Sequence, residues 1–124
     1  MKVLLSIRPE YAEKILAGEK RYEFRRCIPK IRGVNTVVIY ATLPIGKVVG
    51  EFTVERILSE QPNELWAKTK DYAGITRDFF DQYFSGRDHG HAFEVRSAKR
   101  YAKPKPLTRF IENGVAPQSF CYLT

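Results

Sequence analysis

Cysteine is scarce in this sequence, and its positions do not indicate a cross-linked or metal-binding protein. Cys27 and Cys121 are the only two cysteines among 124 residues, and neither belongs to a CxxC pair. Because no histidines are grouped near either thiol, the spacing does not indicate a zinc site, and we expect no metal and no other cofactor. Two such distant thiols also do not form the disulfide framework of a small secreted domain. We therefore expect both cysteines to be reduced.

Long apolar runs are missing as well. The first residues, MKVLLSIRPE, are apolar only in part, and Arg8 and Pro9 interrupt the run before a signal-peptide core could form. No segment approaches the roughly 20 apolar residues that a membrane-spanning helix needs. The sequence therefore predicts a cytoplasmic protein that does not contact a membrane.

Acidic residues are few relative to basic ones. The chain has 14 Asp and Glu against 21 Lys and Arg, which gives a formal net charge of +7. Such an excess favours a polyanionic partner, although many small basic proteins bind no nucleic acid. Hydrophobic residues make up 44% of the chain, which is enough for a folded core. The length fits one domain over residues 1–124.

Hydrophobic periodicity and turn residues predict one α+β domain. Thr76 is a candidate N-cap, and Gly50 is a candidate bulge inside a long strand. Four aromatic residues give the helix after Thr76 a face that we expect to pack on the sheet. The predicted strands cover residues 3–7, 20–26, 36–42, 47–58, 91–96, 99–103 and 118–123, and the predicted helices run from Pro9 to a stop at Gly18, over 62–70 and over 76–83, with one more helical turn at 107–113.

The most specific local pattern is GEKRYEFR, which has the form G-x-K-x-x-E-x-R from Gly18 to Arg25. A lysine, a carboxylate and a guanidinium near one cleft offer donors to phosphates or base edges and an acceptor for amino groups. Residues three apart on a strand face opposite sides, so Lys20 and Glu23 meet only if a turn at Gly18 reorients Lys20. The alternative is that Glu23 and a neighbouring arginine form an ion-pair stripe on an exposed strand.

This motif resembles the defining motif of the ASCH family, whose domains are relatives of PUA-like barrels. The order of strand, helix, motif, paired strands and later helices is similar as well, as far as Arg96. The resemblance implies an α+β fold: a PUA-like β-barrel of about five to seven mostly antiparallel strands with two or three flanking helices. It also implies a cleft between barrel and first helix, and a domain that binds RNA or a modified nucleoside in RNA metabolism or gene regulation.

A hydrolase is the alternative that the same resemblance raises. Some small ASCH proteins hydrolyse acylated cytidine with a lysine, a threonine and a glutamate, and others are ribonucleases. The lysine matches Lys20, but Glu23 stands where the threonine is expected, and no later glutamate can be matched. A nucleoside or RNA hydrolase that uses Lys20 and Glu23 as catalytic residues therefore remains open. A regulator that contacts DNA or protein has less support, because no convincing helix-turn-helix is present.

Basic residues concentrate in two segments, 20–32 and 96–109, and Tyr101 lies among the cations of the second. Cations interleaved with a ring are typical of single-stranded nucleic-acid binding, but lysines on an edge strand are an equally simple explanation. Tyr40 and Thr42 end one buried strand, and Ser6 ends another. The Tyr40 ring and the two hydroxyls are therefore further candidates for contacts to a nucleobase, and placement in the core is the alternative for Tyr40. The predicted ligand-binding residues are Ser6, Gly18, Lys20, Glu23, Arg25, Arg26, Tyr40, Thr42, Arg96 and Arg100.

His89 and His91 flank Gly90, and a spacing of two places both rings on one face of a strand. Such a pair is compatible with acid–base work, with a phosphate contact or with a metal. No third ligand follows from the sequence. Ordinary loop structure is the simplest alternative.

Overall fold

A computed structural model describes residues 1–30 and 32–123 of the chain. Within these residues the chain forms six strands and three α-helices, and two short 3₁₀ turns lie at Lys70–Tyr72 and Leu107–Arg109. In chain order the elements are β1 (Lys2–Ile7), α1 (Pro9–Leu16), β2 (Tyr22–Arg25), β3 (Thr36–Ala41), β4 (Lys47–Glu60), α2 (Pro62–Thr69), α3 (Arg77–Tyr83), β5 (Gly90–Lys105) and β6 (Phe120–Leu123).

All six strands belong to one curled, mixed sheet with the order β2-β5-β4-β3-β1-β6. Strands β1 and β3 are parallel, and every other neighbouring pair is antiparallel. The expected α+β fold with a barrel-like sheet, mostly antiparallel strands and flanking helices is therefore confirmed. The sheet is a half-barrel whose two edges are β2 and β6.

Helix α1 covers one face of this sheet. Pro9 occupies the first turn, where its missing N–H costs no hydrogen bond. Ala12 and Ile15 are one turn apart and are buried against alternate residues of β1 and β3, with Phe52 and Phe93 behind them. The helix thus covers the face of the sheet that carries the largest of the three buried clusters.

Two smaller clusters cover the opposite face. One contains Phe24 of β2 and the aromatic side of α3, where Phe80 and Phe84 are almost fully buried. The other joins β1, β3 and β4 to the segment after Leu107. The predicted N-cap is confirmed, because the hydroxyl of Thr76 accepts a hydrogen bond from the backbone N–H of Phe79 at 3.1 Å.

Strand β5 is longer than the sequence indicated. We predicted two strands, over 91–96 and 99–103, with a turn or edge at Pro104 and Pro106, but a single strand runs from Gly90 to Lys105. Its N-terminal end pairs with β2 and β4, whereas its C-terminal end pairs only with β4. Pro104 is accommodated there because one side of the strand needs no backbone donor.

Gly50 marks an irregularity in β4, as predicted. The pairing with both neighbouring strands shifts register between Val48 and Gly50. A Cβ atom at Gly50 would lie 2.5 Å from the backbone oxygen of Lys99, which is closer than any real Cβ contact. The close approach of β4 and β5 therefore requires glycine at this position.

In the part of the chain that the structure describes, the longest α-helices have eight residues. None of the described helices combines the length and the apolar character that crossing a membrane requires.

Replacing Gly50 by alanine is expected to destabilise the fold by about 1–3 kcal/mol, because the new methyl group meets backbone that cannot rotate away. Urea denaturation monitored by tryptophan fluorescence measures this change. Lys99→Ala is the control, since its side chain is exposed, and its effect should stay within about 0.5 kcal/mol. Equal effects from the two variants would contradict the bulge assignment.

Candidate functional site

A cavity of about 740 Å³ lies where the two edges of the half-barrel approach each other. It is bounded by the end of β1, the start of α1, strand β2, helix α3 and the segment before β6. The residues that line it are Ser6, Ile7, Arg8, Tyr11, Lys20, Glu23, Phe24, Arg25, Arg26, Cys27, Ile75, Phe79, Gln82, Tyr83, Arg87, Gln118, Ser119 and Phe120.

Arg25 spans the gap between the two sheet edges. Its side chain extends from β2, and one terminal nitrogen donates to the backbone oxygen of Ser6 and to Glu23 Oε2, both at 3.2 Å. The other terminal nitrogen donates to the backbone oxygen of Ser119 at 2.9 Å and to its hydroxyl at 3.1 Å. Glu23 and Arg25 are only 6% and 9% exposed. The alternative interpretation, in which they form an ion-pair stripe on an exposed strand, is therefore wrong.

Lys20 forms the floor of the cavity and is 1% exposed. Its Nζ donates to the backbone oxygen of Ala73 at 2.6 Å and lies 4.8 Å from the centre of the Phe24 ring. Burial lowers the pKa of Lys20 to about 8; the negative charge of Glu23 opposes this shift, and the positive charge of Lys14 adds to it. A lysine with such a pKa can give up its proton near neutral pH.

A turn at Gly18 brings Lys20 into the cavity. Gly18 has a φ of +83°, a left-handed conformation that favours glycine, and the N–H groups of both Glu19 and Lys20 donate to the backbone oxygen of Lys14. Lys20 and Glu23 consequently line the same cavity, as the motif requires. Gly74 completes this arrangement, because a Cβ atom there would lie 2.5 Å from the Lys20 side chain.

Aromatic rings hold the cations at the mouth of the cavity. The Arg8 guanidinium lies 5.5 Å from the centre of the Phe79 ring. Arg26 lies 4.3 Å from the centre of the Tyr83 ring, and its Nε donates to the backbone oxygen of the same tyrosine at 2.8 Å. A ring attracts a cation without neutralising it, so the positive charge stays available to a ligand.

Two of the cations that line the cavity form ion pairs, Arg8 with Glu10 at 4.0 Å and Arg25 with Glu23 at 3.2 Å. Outside the cavity, arginines such as Arg56, Arg77 and Arg100 contact carboxylates at 2.7–2.9 Å. Among the ion pairs of residues 1–30 and 32–123, none involves Lys20, Arg26 or Arg87. Three cations of the cavity wall therefore have no carboxylate partner among the described residues.

Only part of the predicted binding set lies in the cavity. Ser6, Lys20, Glu23, Arg25 and Arg26 line it, and the Ser6 hydroxyl is held by the backbone oxygen of Pro117 at 2.7 Å. The remaining predicted residues lie elsewhere: Gly18 in the turn, Tyr40 in the core cluster around Leu107, Thr42 in the β3–β4 turn, and Arg96 and Arg100 on β5.

The second basic segment is not part of this cavity. Arg100 donates through both terminal nitrogens to Glu13, at 2.9 and 2.7 Å. The Tyr101 hydroxyl donates to Glu51 at 2.8 Å, and its ring stacks on Phe110 with a centroid distance of 6.5 Å. No residue from 96 to 109 is found among the described residues of the cavity wall.

His89 and His91 line a second, shallower depression beside the cavity. The Nδ1 atom of His91 lies 2.7 Å from the hydroxyl of Ser59. Burial lowers the pKa of His91, and the positive charges of His89 and Arg87 act in the same direction.

Within residues 1–30 and 32–123, no group of three or more His, Cys, Asp or Glu could hold a metal ion. The two cysteines are free thiols, one of which, Cys27, lies at the cavity wall.

The sequence did not identify the aromatic wall. We expected the whole aromatic face of α3 to pack on the sheet, and Phe80 and Phe84 do so. Phe79 and Tyr83 instead face the cavity. The aromatic residues occur as two adjacent pairs, 79–80 and 83–84, so the apolar face of α3 is wider than its contact with the sheet requires. This width could have indicated a second contact surface on the helix.

Comparisons with known proteins show which family and fold the chain is similar to. The ASCH domain family model matches residues 5–106. The crystal structure of ASCH from Zymomonas mobilis is similar, with a TM-score of 0.91 and 31% identity over 99% of this chain and 87% of that chain. A curated protein of Zymomonas mobilis subsp. mobilis, named ASCH domain-containing ribonuclease, is 32% identical over 98% of this chain and 84% of that protein.

A second relative is longer than this chain. Large ribosomal subunit protein uL22 of Ureaplasma parvum serovar 3 is 31% identical over 122 residues. The match takes in 98% of this chain but only 39% of that protein. Because the family model covers most of the sequence, and the relative from Zymomonas is matched over most of its own length, this chain belongs to the ASCH domain family.

Proposed function

We propose that the chain binds single-stranded RNA and holds one nucleotide in the cavity between its sheet edges. The carrying observation is the charge of the cavity wall, where five cations face the single carboxylate of Glu23. The cations are Arg8, Lys20, Arg25, Arg26 and Arg87. Phosphate oxygens are the ligands that such a set of donors favours.

The aromatic wall and the size of the cavity support the same proposal. Tyr11, Phe79 and Tyr83 offer ring faces beside the cations, and single-stranded RNA is bound by stacking unpaired bases on such rings. A volume of about 740 Å³ lies within the range of about 300–1,000 Å³ that is usual for ligand sites. The name of the Zymomonas relative, a ribonuclease, links a similar chain to RNA.

Removing one cation at the mouth tests the binding proposal. Arg8→Gln is expected to weaken binding of a fluorescent single-stranded RNA about tenfold, since a charge-assisted hydrogen bond to phosphate is lost. The slope of log affinity against log salt concentration should fall by about 0.7. Fluorescence anisotropy over a salt series measures both quantities.

Arg100→Gln is the matched control, because it removes the same charge from a residue that is paired with Glu13 outside the cavity. Its affinity and salt slope should equal those of the unmodified protein. A larger loss for Arg100→Gln than for Arg8→Gln would place the RNA on β5 and contradict the proposal.

RNA cleavage is the second candidate function, and the observation that favours it is Lys20. Burial lowers the pKa of Lys20 to about 8. A site that only binds phosphate needs a cation, but it does not need a lysine with such a low pKa. Groups with such pKa values are suited to proton transfer near neutral pH. We infer that neutral Lys20 would act as the general base.

The inferred step is an internal transesterification. Lys20 Nζ takes the proton from a ribose 2′-hydroxyl, the 2′-oxygen attacks the adjacent phosphorus, and the bond from phosphorus to the 5′-oxygen breaks. The leaving oxygen takes a proton from water, and the protonated lysine returns its proton to solvent. The products are a 2′,3′-cyclic phosphate and a 5′-hydroxyl. The arginines around the phosphate would stabilise the charge that develops on its oxygens.

Lys20→Met is expected to lower the cleavage rate at least about 100-fold, since general-base catalysis typically contributes about 10²–10⁴-fold. The assay follows an end-labelled RNA by gel electrophoresis, and RNA with a 2′-deoxyribose at the cleaved position should stay intact. Lys70→Met is the control, because Lys70 is exposed, lies near the loop at Gly74 and does not line the cavity. Cleavage by Lys20→Met at the unmodified rate would exclude this role.

The pH dependence of cleavage provides an independent test. The rate should rise with pH and level off above about 8, where Lys20 is neutral. The charge of Glu23 raises the pKa of Lys20, so Glu23→Gln should shift the rising part of the profile to lower pH. A shift to higher pH, or an unchanged profile, would contradict the assignment of Lys20 as the base.

A further inference from the structure

The second depression is lined by Arg26, Arg87, His89, His91 and neighbouring loop residues and lies beside the main cavity. Its volume is about 550 Å³, and Arg26 and Arg87 line both spaces. The two depressions therefore lie next to each other, on either side of these two arginines.

The walls of the second depression are held in place. Arg26 is fixed by the ring and the backbone oxygen of Tyr83. The loop after α3 turns at Gly86, whose φ is +77°, and the N–H of Arg87 donates to the backbone oxygen of Phe84 at 3.1 Å. The loop ends at Gly90, where a Cβ atom would lie 2.8 Å from the Phe84 ring. Phe84 thus contacts the loop at two points, at Arg87 through its backbone oxygen and at Gly90 through its ring.

We propose that this depression is a second phosphate subsite, which binds the backbone of a neighbouring nucleotide of the same RNA strand. The inference rests on the proposed function and narrows it, because it makes the ligand an oligonucleotide and not a free nucleoside. Arg26 and Arg87 lie between the two subsites, and His89 and His91 provide the ring nitrogens of the second.

The charges around the depression favour an anion. Asp88 is its only carboxylate among the described lining residues. Glu60 of the neighbouring strand is bound by Lys68 at 2.6 Å, which reduces its effect on the histidines. Burial, and to a lesser extent the positive charges of His89 and Arg87, lower the pKa of His91; the negative charge of a bound phosphate would act in the opposite direction and favour the protonated form.

Affinity as a function of ligand length tests this subsite. The probes are pU, pUpU and pUpUpU with 2′-fluoro riboses, which cannot undergo transesterification, and affinity is measured by calorimetry. In the unmodified protein, pUpU should bind about tenfold more tightly than pU.

His89→Glu places a negative charge in the depression on an exposed loop residue. Ser97→Glu adds a negative charge to an exposed position of β5 outside both spaces and is the matched control.

The subsite predicts that His89→Glu loses the tenfold gain of pUpU over pU, whereas its affinity for pU stays within about twofold. Ser97→Glu should retain the gain. An equal loss for pU and pUpU, or no loss at all, would overturn the second subsite while leaving RNA binding intact. If the unmodified protein binds none of the three probes, the proposed function itself fails, and the subsite fails with it. Thermal unfolding of each variant establishes that the fold is retained.

Discussion

The contacts of Arg25 are the constraint on which the cavity depends. Strands β2 and β6 are the two edges of the sheet, and no backbone ladder joins them. The buried guanidinium instead links Glu23 on β2 to the backbone oxygens of Ser6 and Ser119 on the other side. Removing one partner of such a buried charge typically costs about 3–5 kcal/mol. A side chain thus closes the curl where a strand pair would otherwise lie, and the remaining gap is the cavity.

The same closure determines the chemistry of the cavity. Lys20 is buried because the loop at Gly74 packs on its side chain. This burial fixes the position of Nζ and lowers the pKa of Lys20 to about 8. At the mouth, the Tyr83 ring holds Arg26, whereas Arg8 contacts both the Phe79 ring and, at 4.0 Å, the carboxylate of Glu10. The charge of Arg26 is therefore fixed in position without being neutralised, which is the property that an anion-binding site needs.

Local patterns predicted most of the fold but only the central part of the site. Proline, glycine and Thr76 fixed the helix ends, because capping is a local effect. The motif identified Lys20, Glu23 and Arg25, since a single turn at Gly18 brings them together. The aromatic wall and the segment before β6 were missed, because contacts between distant parts of a curled sheet leave no local pattern. Likewise, the pairing of Arg100 with Glu13 on another element was not visible in the run of basic residues.

The central claim is that RNA occupies the cavity and not the basic segment of β5. Photo-crosslinking with single-stranded RNA that contains 4-thiouridine, followed by mass spectrometry of the digested protein, tests this claim most directly. Crosslinks at Phe79, Tyr83 and Tyr11, which line the cavity, are the predicted result. Crosslinks confined to residues 96–109 would show that the RNA lies on β5 and the turn after it, outside the cavity, and would contradict this placement.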